Sequence, residues 1–149
     1  MNQSEKKLLG AAFSGASGSR ATDNALLALR VVFGLMLVIH GAGKIENFAD
    51  LAPQFPDPIG LGGTFSLTLS MLAETCGGLA LVVGFLTRPT CIVLLINMAV
   101  AIVGVHRCDI LGVGELAFLY FAVFGVLLYT GAGGKSVDAE IRRRKPSLL

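Results

Sequence analysis

Five side chains within or bordering the apolar stretches of this chain can hydrogen-bond deeply or exchange a proton: His40, Glu74, Asn97, His106 and Glu115. Glu74 is the sharpest of them. It interrupts the run Phe65 to Arg88, FSLTLSMLAETCGGLALVVGFLTR, near its middle. A carboxylate at bilayer depth costs several kcal/mol, so Glu74 must face protein or water, find a partner, or be protonated. His40 and Arg30 are its expected partners. Imidazole titrates near neutral pH, so His40 beside Glu74 would make a couple able to take up and give back protons. Each residue also has a plain structural reading. Glu74 can tie two helices together, His40 can pack near the interface, and Glu115 in a first helical turn complements the helix dipole, as His106 closes a helix end. His40, Glu74, His106 and Glu115 together have metal-ligand chemistry, but no local ligand spacing supports a metal site and none is assigned. Cys76, Cys91 and Cys108 form no CxxC, so no disulfide framework or thiol carrier follows. No haem, flavin or iron–sulfur motif is present.

The elements that must position these groups are read from hydropathy. The chain has 149 residues, 54% hydrophobic and only 15% charged, with a mean hydropathy of +0.74. A soluble domain is nearer 25% charged. Four apolar segments stand out, near 25–43, 65–86, 90–105 and 114–130, and they predict an all-α integral membrane four-helix bundle. Residues 1–24 are polar and rich in Gly, Ala and Ser, and are expected to be a disordered tail, with Thr22 or Asp23 capping the first helix. Residues 25–130 form the membrane domain. Residues 131–149 are a basic tail.

Within the first helix, Arg30, Gly34, Leu37, Gly41 and Lys44 are spaced by four, three, four and three, so they share one face that should pack on a neighbour. Arg30, about one turn inside, is expected to snorkel to the surface. Gly77 and Gly78, with Ala73 and Ala80, give the second helix a flat side. In the connection Lys44 to Thr64, Ile45, Phe48, Ala49 and Ala52 can line a short surface helix before Pro53, Pro56 and Pro58 break it. The turn Thr87-Arg88-Pro89 is short enough to join antiparallel neighbours.

Helix rise puts Glu74 roughly 18 Å from Leu86, His40 and Glu115 roughly 22 Å from Ala25 and Thr130, and His106 roughly 25 Å from Pro89. One group from each helix thus falls in the same half of the bilayer, with Asn97 lower. Roughly 10 of the 12 basic residues lie at the opposite side, which predicts both termini in the cytoplasm. The Arg142 to Arg144 run reads as a topology signal that also meets anionic lipid, and nucleic-acid binding is not needed to explain it.

Arg30 with Gly34 and Gly41-Ala-Gly-Lys44, then Glu74-x-x-Gly77-Gly78 and Gly84-Phe-Leu-Thr87-Arg88, resemble the first- and second-helix patterns of the DoxX family of small membrane proteins. The resemblance covers about Leu29 to Thr130. It implies a four-helix protein of the bacterial inner membrane, similar to the membrane subunits of thiosulfate:quinone oxidoreductase. On that footing the chain is expected to be a quinone-linked redox component working with a partner subunit that brings the electrons. The quinone headgroup would sit near Glu74 and His40, within reach of Asn97, His106 and Glu115. The alternative is a non-enzymatic membrane scaffold or assembly factor that holds a partner protein through its glycine-rich faces and the Lys44 to Thr64 connection. A small-solute carrier fits less well, because no inverted repeat is evident.

Overall fold

The computed structural model describes residues 2–5, 19–58 and 60–144. Most of the expected disordered tail, residues 1–24, lies outside them, and its last five residues, Arg20 to Asn24, are helical. The described residues form helices and no strands: α1 (Arg20–Glu46), the short α2 (Phe48–Leu51) with a 3-10 turn (Ala52–Gln54), α3 (Gly63–Val83), α4 (Thr87–Val100) running on into a π-helical turn (Ala101–Val105), α5 (Glu115–Thr130) and α6 (Val137–Arg144). Helix α1 starts five residues before the expected Ala25. Its cap is Ser19, whose hydroxyl accepts the Thr22 N–H, rather than Thr22 or Asp23.

Among the described residues, three helices are long and apolar enough to cross a membrane: Arg20–Glu46, Gly63–Val83 and Thr87–Val105. Helix α5 is apolar but shorter, at 16 residues. These helices are apolar on all sides, and large side chains such as Ile39, Ile96 and Tyr129 point outward. Outward apolar faces on all four helices are what a lipid solvent allows and water does not.

Lipid tails are as apolar as leucine, so helices in a bilayer associate through close packing rather than hydrophobic exclusion. Helices α1 and α3 accordingly meet along most of their length. The predicted face of α1 is the one used: Leu26, Arg30, Gly34, Leu37 and Gly41 are its buried residues. A Cβ on Gly34 would come within 2.8 Å of the Gly78 carbonyl oxygen, and one on Gly78 within 2.7 Å of the Gly34 carbonyl oxygen. The two backbones approach so closely that only glycine fits at either position. Elsewhere Leu37, Leu81, Leu94, Met98, Phe124 and Leu127 fill the centre. Tyr120 stacks edge-on against Phe33, with ring centroids 5.6 Å apart.

Arg30 does not snorkel. It is fully buried, and its guanidinium donates to the carbonyls of Leu81 (3.2 Å), Val82 (3.5 Å) and Lys135 (2.6 Å). Those carbonyls include the last turn of α3, whose orphan acceptors need donors. Gly84 follows in a left-handed conformation (φ 69°), and a Cβ there would overlap Arg30 Nη1. Asp138, also buried, accepts the N–H groups of Leu86 (2.7 Å) and Thr87 (2.9 Å), which holds Leu86 at φ 46° and caps the start of α4. Gly134 donates its N–H to Asp23 at 2.6 Å. The segment 131–144 is therefore folded back across one end of the helices and locks the α3–α4 turn. At the other end lie Lys44, the 47–62 connection, the π-turn and the 106–114 loop.

Candidate functional site

Lys44 is the last basic residue of α1 and belongs to the face that packs on α3. That register sends its side chain toward Ser70 and Glu74. Lys44 Nζ lies 2.5 Å from Glu74 Oε1 and donates to Ser70 Oγ at 2.8 Å. Ser70, one turn before Glu74 on α3, also donates to Glu74 Oε1 at 3.2 Å. From α4, Asn97 Nδ2 reaches the same oxygen at 3.4 Å. Three helices thus converge on one carboxylate oxygen. Its twin, Glu74 Oε2, is buried and has no hydrogen-bond partner among the described residues. Glu74 is 5% exposed.

This cluster is the polar patch of an otherwise apolar cavity of about 440 Å³ between α3 and α4. Leu69 and Ala73 line it from α3, and Val93, Ile96 and Val100 from α4. Phe55, Pro56 and Pro58 of the connection cover one end, beside His106. The Phe55 ring centroid is 5.9 Å from Lys44 Nζ, within cation–π range. The π-turn widens the helix where it borders the cavity: His106 N–H bonds to the Ala101 carbonyl five residues back, at 2.9 Å. Gly104 in that turn makes a notch for Pro58, and a Cβ there would fall 2.2 Å from Pro58 Cβ. Asp57 shapes the same connection by accepting the N–H groups of Gly62 (2.7 Å) and Leu61 (2.9 Å) and the Ser66 hydroxyl (2.9 Å). The Gly62 bond, ahead of the others, holds the Asp57 carboxyl below the usual aspartate range.

The structure brings together three of the five sequence candidates, Glu74, Asn97 and His106. It does not bring His40 or Glu115. His40 is exposed on α1 and stacks on Tyr120 at 6.2 Å, and Glu115 is exposed in the first turn of α5. The expected pairing of Glu74 with His40 or Arg30 is corrected: the partner is Lys44. The reason is register. His40 is one turn from Lys44 but off the buried stripe, while Arg30 sits at the far end of the helix beside Asp138. Lys44 was visible as the last member of the Arg30 to Lys44 stripe, which was the signal that it faces α3. Ser70, one turn before Glu74, carried the same kind of signal. Nothing in the sequence marked Phe55, Pro56 and Pro58 as walls. Among the described residues no three His, Cys, Asp or Glu side chains gather as metal ligands.

The DoxX family model matches residues 25–107, more than half of the chain, and that span holds Lys44, Glu74, Asn97 and His106. The chain belongs to the DoxX family. Among curated proteins, this DoxX protein is 30% identical over 126 residues to the inner membrane protein YqjF of Escherichia coli, covering 82% of this chain and 95% of that one. It is 29% identical over 126 residues to a protein of Haemophilus influenzae described as uncharacterized, covering 80% and 92%. No solved structure matches it significantly. The family, its inner-membrane relative and the three long apolar helices make this DoxX protein an all-α protein of a bacterial membrane.

Proposed function

We propose that the cavity binds the headgroup of a quinone and that the chain is the quinone-handling membrane component of a redox pair, its electrons exchanged with a partner subunit. The observation that carries this reading is the buried, unpartnered Glu74 Oε2 beside a Lys44–Glu74 ion pair at the edge of an apolar cavity. A buried acceptor without a donor costs about 1–3 kcal/mol, and a ligand hydroxyl would relieve that. The residues fit both forms of such a headgroup. Lys44 Nζ has three N–H donors, two of them used on Glu74 and Ser70, so a third can meet a carbonyl oxygen. Glu74 Oε2 can accept from a hydroxyl in the same place. A bound quinone supplies two-electron, two-proton redox chemistry. Glu74 would pass protons to and from the bound oxygen, Lys44 would stabilise negative charge there, and Asn97 would orient the carboxylate. The apolar walls lower the local dielectric around the site, which strengthens each of these interactions.

Topology belongs to the same proposal. Arg30, Arg88, Lys135 and the Arg142 to Arg144 run cluster at one end, so that end is cytoplasmic by the positive-inside rule, with Lys44 and the cavity toward the outer half. Helix α5 crosses with help from the apolar loop before it, where Leu111 and Val113 are exposed.

The test is quinone binding to the purified protein. Extracted quinone should co-purify with the parent and be lost from Lys44→Met. Glu74→Gln should fold normally yet lose quinone-coupled turnover, because an amide cannot exchange a proton near neutral pH. A well-folded Glu74→Gln protein with unchanged turnover, or a parent that neither retains nor saturably binds quinone, removes the proposal.

A further inference from the structure

The walls of the cavity contain a route as well as a site. Leu69, Val93 and Ile96 line it and are themselves exposed, at 44%, 52% and 62%. The gap between α3 and α4 therefore opens sideways, onto faces that meet lipid. The end toward the aqueous surface is largely covered instead, the Lys44 side chain keeping 23% exposure. Phe55 lies over Lys44, Pro58 sits in the Gly104 notch, and Asp57 pins the connection to the start of α3. Pro53, Pro56 and Pro58 restrict the backbone of this cover, which suits a fixed lid better than a swinging one. The polar patch carries one ammonium and one carboxylate, so it is charge-balanced and matches a neutral, hydrogen-bonding head.

We infer that the site is loaded from the bilayer through the α3–α4 gap while the Phe55–Pro58 lid closes it to water, so that its ligand is a neutral amphiphile dissolved in the membrane. This rests on the reading of the cavity as the functional site, but not on the ligand being a quinone. An apolar tail would leave past Leu69, Val93 and Ile96, and the head would meet Lys44 and Glu74. Pro58 and Gly104 then decide access rather than affinity.

The experiment reads access directly, without ligand. Ala73 lines the cavity beside Glu74, so Ala73→Cys is the reporter, in a chain carrying Cys76→Ala and Cys108→Ser; Cys91 stays, being buried. The protein in lipid vesicles is treated with a charged, water-confined maleimide or an uncharged, lipid-soluble one. Each rate is divided by that of the exposed native Cys108 in the chain with Ala73 intact, and the ratio between reagents cancels the low thiolate content of an apolar site. The reporter should react severalfold faster with the lipid-soluble reagent, and Gly104→Leu, which expels Pro58, should raise only the rate with the charged one. Should Gly104→Leu fail to fold, Pro58→Gly serves for the lid. Labelling by the charged reagent as fast as Cys108, or no labelling by either reagent, overturns the inference. Quinone binding with water-side labelling would sink the route and keep the function. Lipid-side labelling without quinone binding would keep the route and call for another membrane amphiphile.

Discussion

At the scale of single residues, the Lys44–Glu74 pair carries an energetic tension. Taking two charges out of water costs several kcal/mol per ion, and their attraction returns it only when geometry and extra hydrogen bonds are good. Here one carboxylate oxygen collects Lys44, Ser70 and Asn97, and the other finds no partner among the described residues. A site shaped only for stability would satisfy both. Removing one partner should therefore be much worse than removing two. Lys44→Met, which leaves a buried carboxylate uncompensated, is expected to cost about 3 kcal/mol or more, and Lys44→Met with Glu74→Leu should recover most of it. Thermal unfolding of the parent and the two variants in detergent measures this. A double variant as unstable as Lys44→Met would show that the pair is not coupled.

At the scale of elements, the α1–α3 contact depends on where carbonyl oxygens lie. Gly78 faces the Gly34 backbone, which cannot move aside without moving a helix. Gly77 faces the Leu94 side chain, its nearest atom 2.9 Å from where a Cβ would be, and a side chain can turn. Gly125 on α5 faces open space. Gly78→Ala should thus lower stability by about 1–3 kcal/mol through overpacking. Gly77→Ala should cost less. Gly125→Ala should be neutral or stabilise by about 0.5–1 kcal/mol, as alanine is the better helix former. Melting temperatures in one detergent rank the three, and equal values would rule out the close-contact account. The other ends of these elements depend on Arg30 and Asp138, which satisfy the last carbonyls of α3 and the first N–H groups of α4 with buried charges.

For the whole molecule, the start of α1, the α3–α4 turn and the segment 131–144 touch one another, so they share one end. The 47–62 connection and the 106–114 loop share the other, since Pro58 meets Gly104. That arrangement puts the two termini of the described bundle together whatever the orientation, and the basic residues select which side. Reporters fused after Leu149 and, in a shortened chain, after Gln54 should read opposite sides, the first cytoplasmic. Reading the same side would refute the topology. With the first reporter cytoplasmic and the second opposite, the cavity beside Lys44 lies toward the periplasmic half.

Sequence alone determined the class and most of the framework. Apolar runs of about 16 residues or more admit one solution in lipid, helices that satisfy their own backbone, so α1, α3 and α4 were legible from composition. The stripe from Arg30 to Lys44 named the packing face, because a 3.6-residue period converts spacing into direction. The family pattern was legible for a similar reason, since glycines at Gly34, Gly41 and Gly78 mark backbone approach. What tertiary structure decided was which polar groups meet. Depth along a helix places His40, Glu74, His106 and Glu115 at similar levels, but rotation about each axis takes His40 and Glu115 away from the other two, and one residue turns a side chain by about 100°. Lys44 therefore took the partner expected of His40, and Glu115 stayed outside. Arg30 became a buried clasp because residues 131–144, more than a hundred positions away, fold back to meet it. The lid of Phe55, Pro56 and Pro58 depends on a notch at Gly104, in a turn that no local pattern announces.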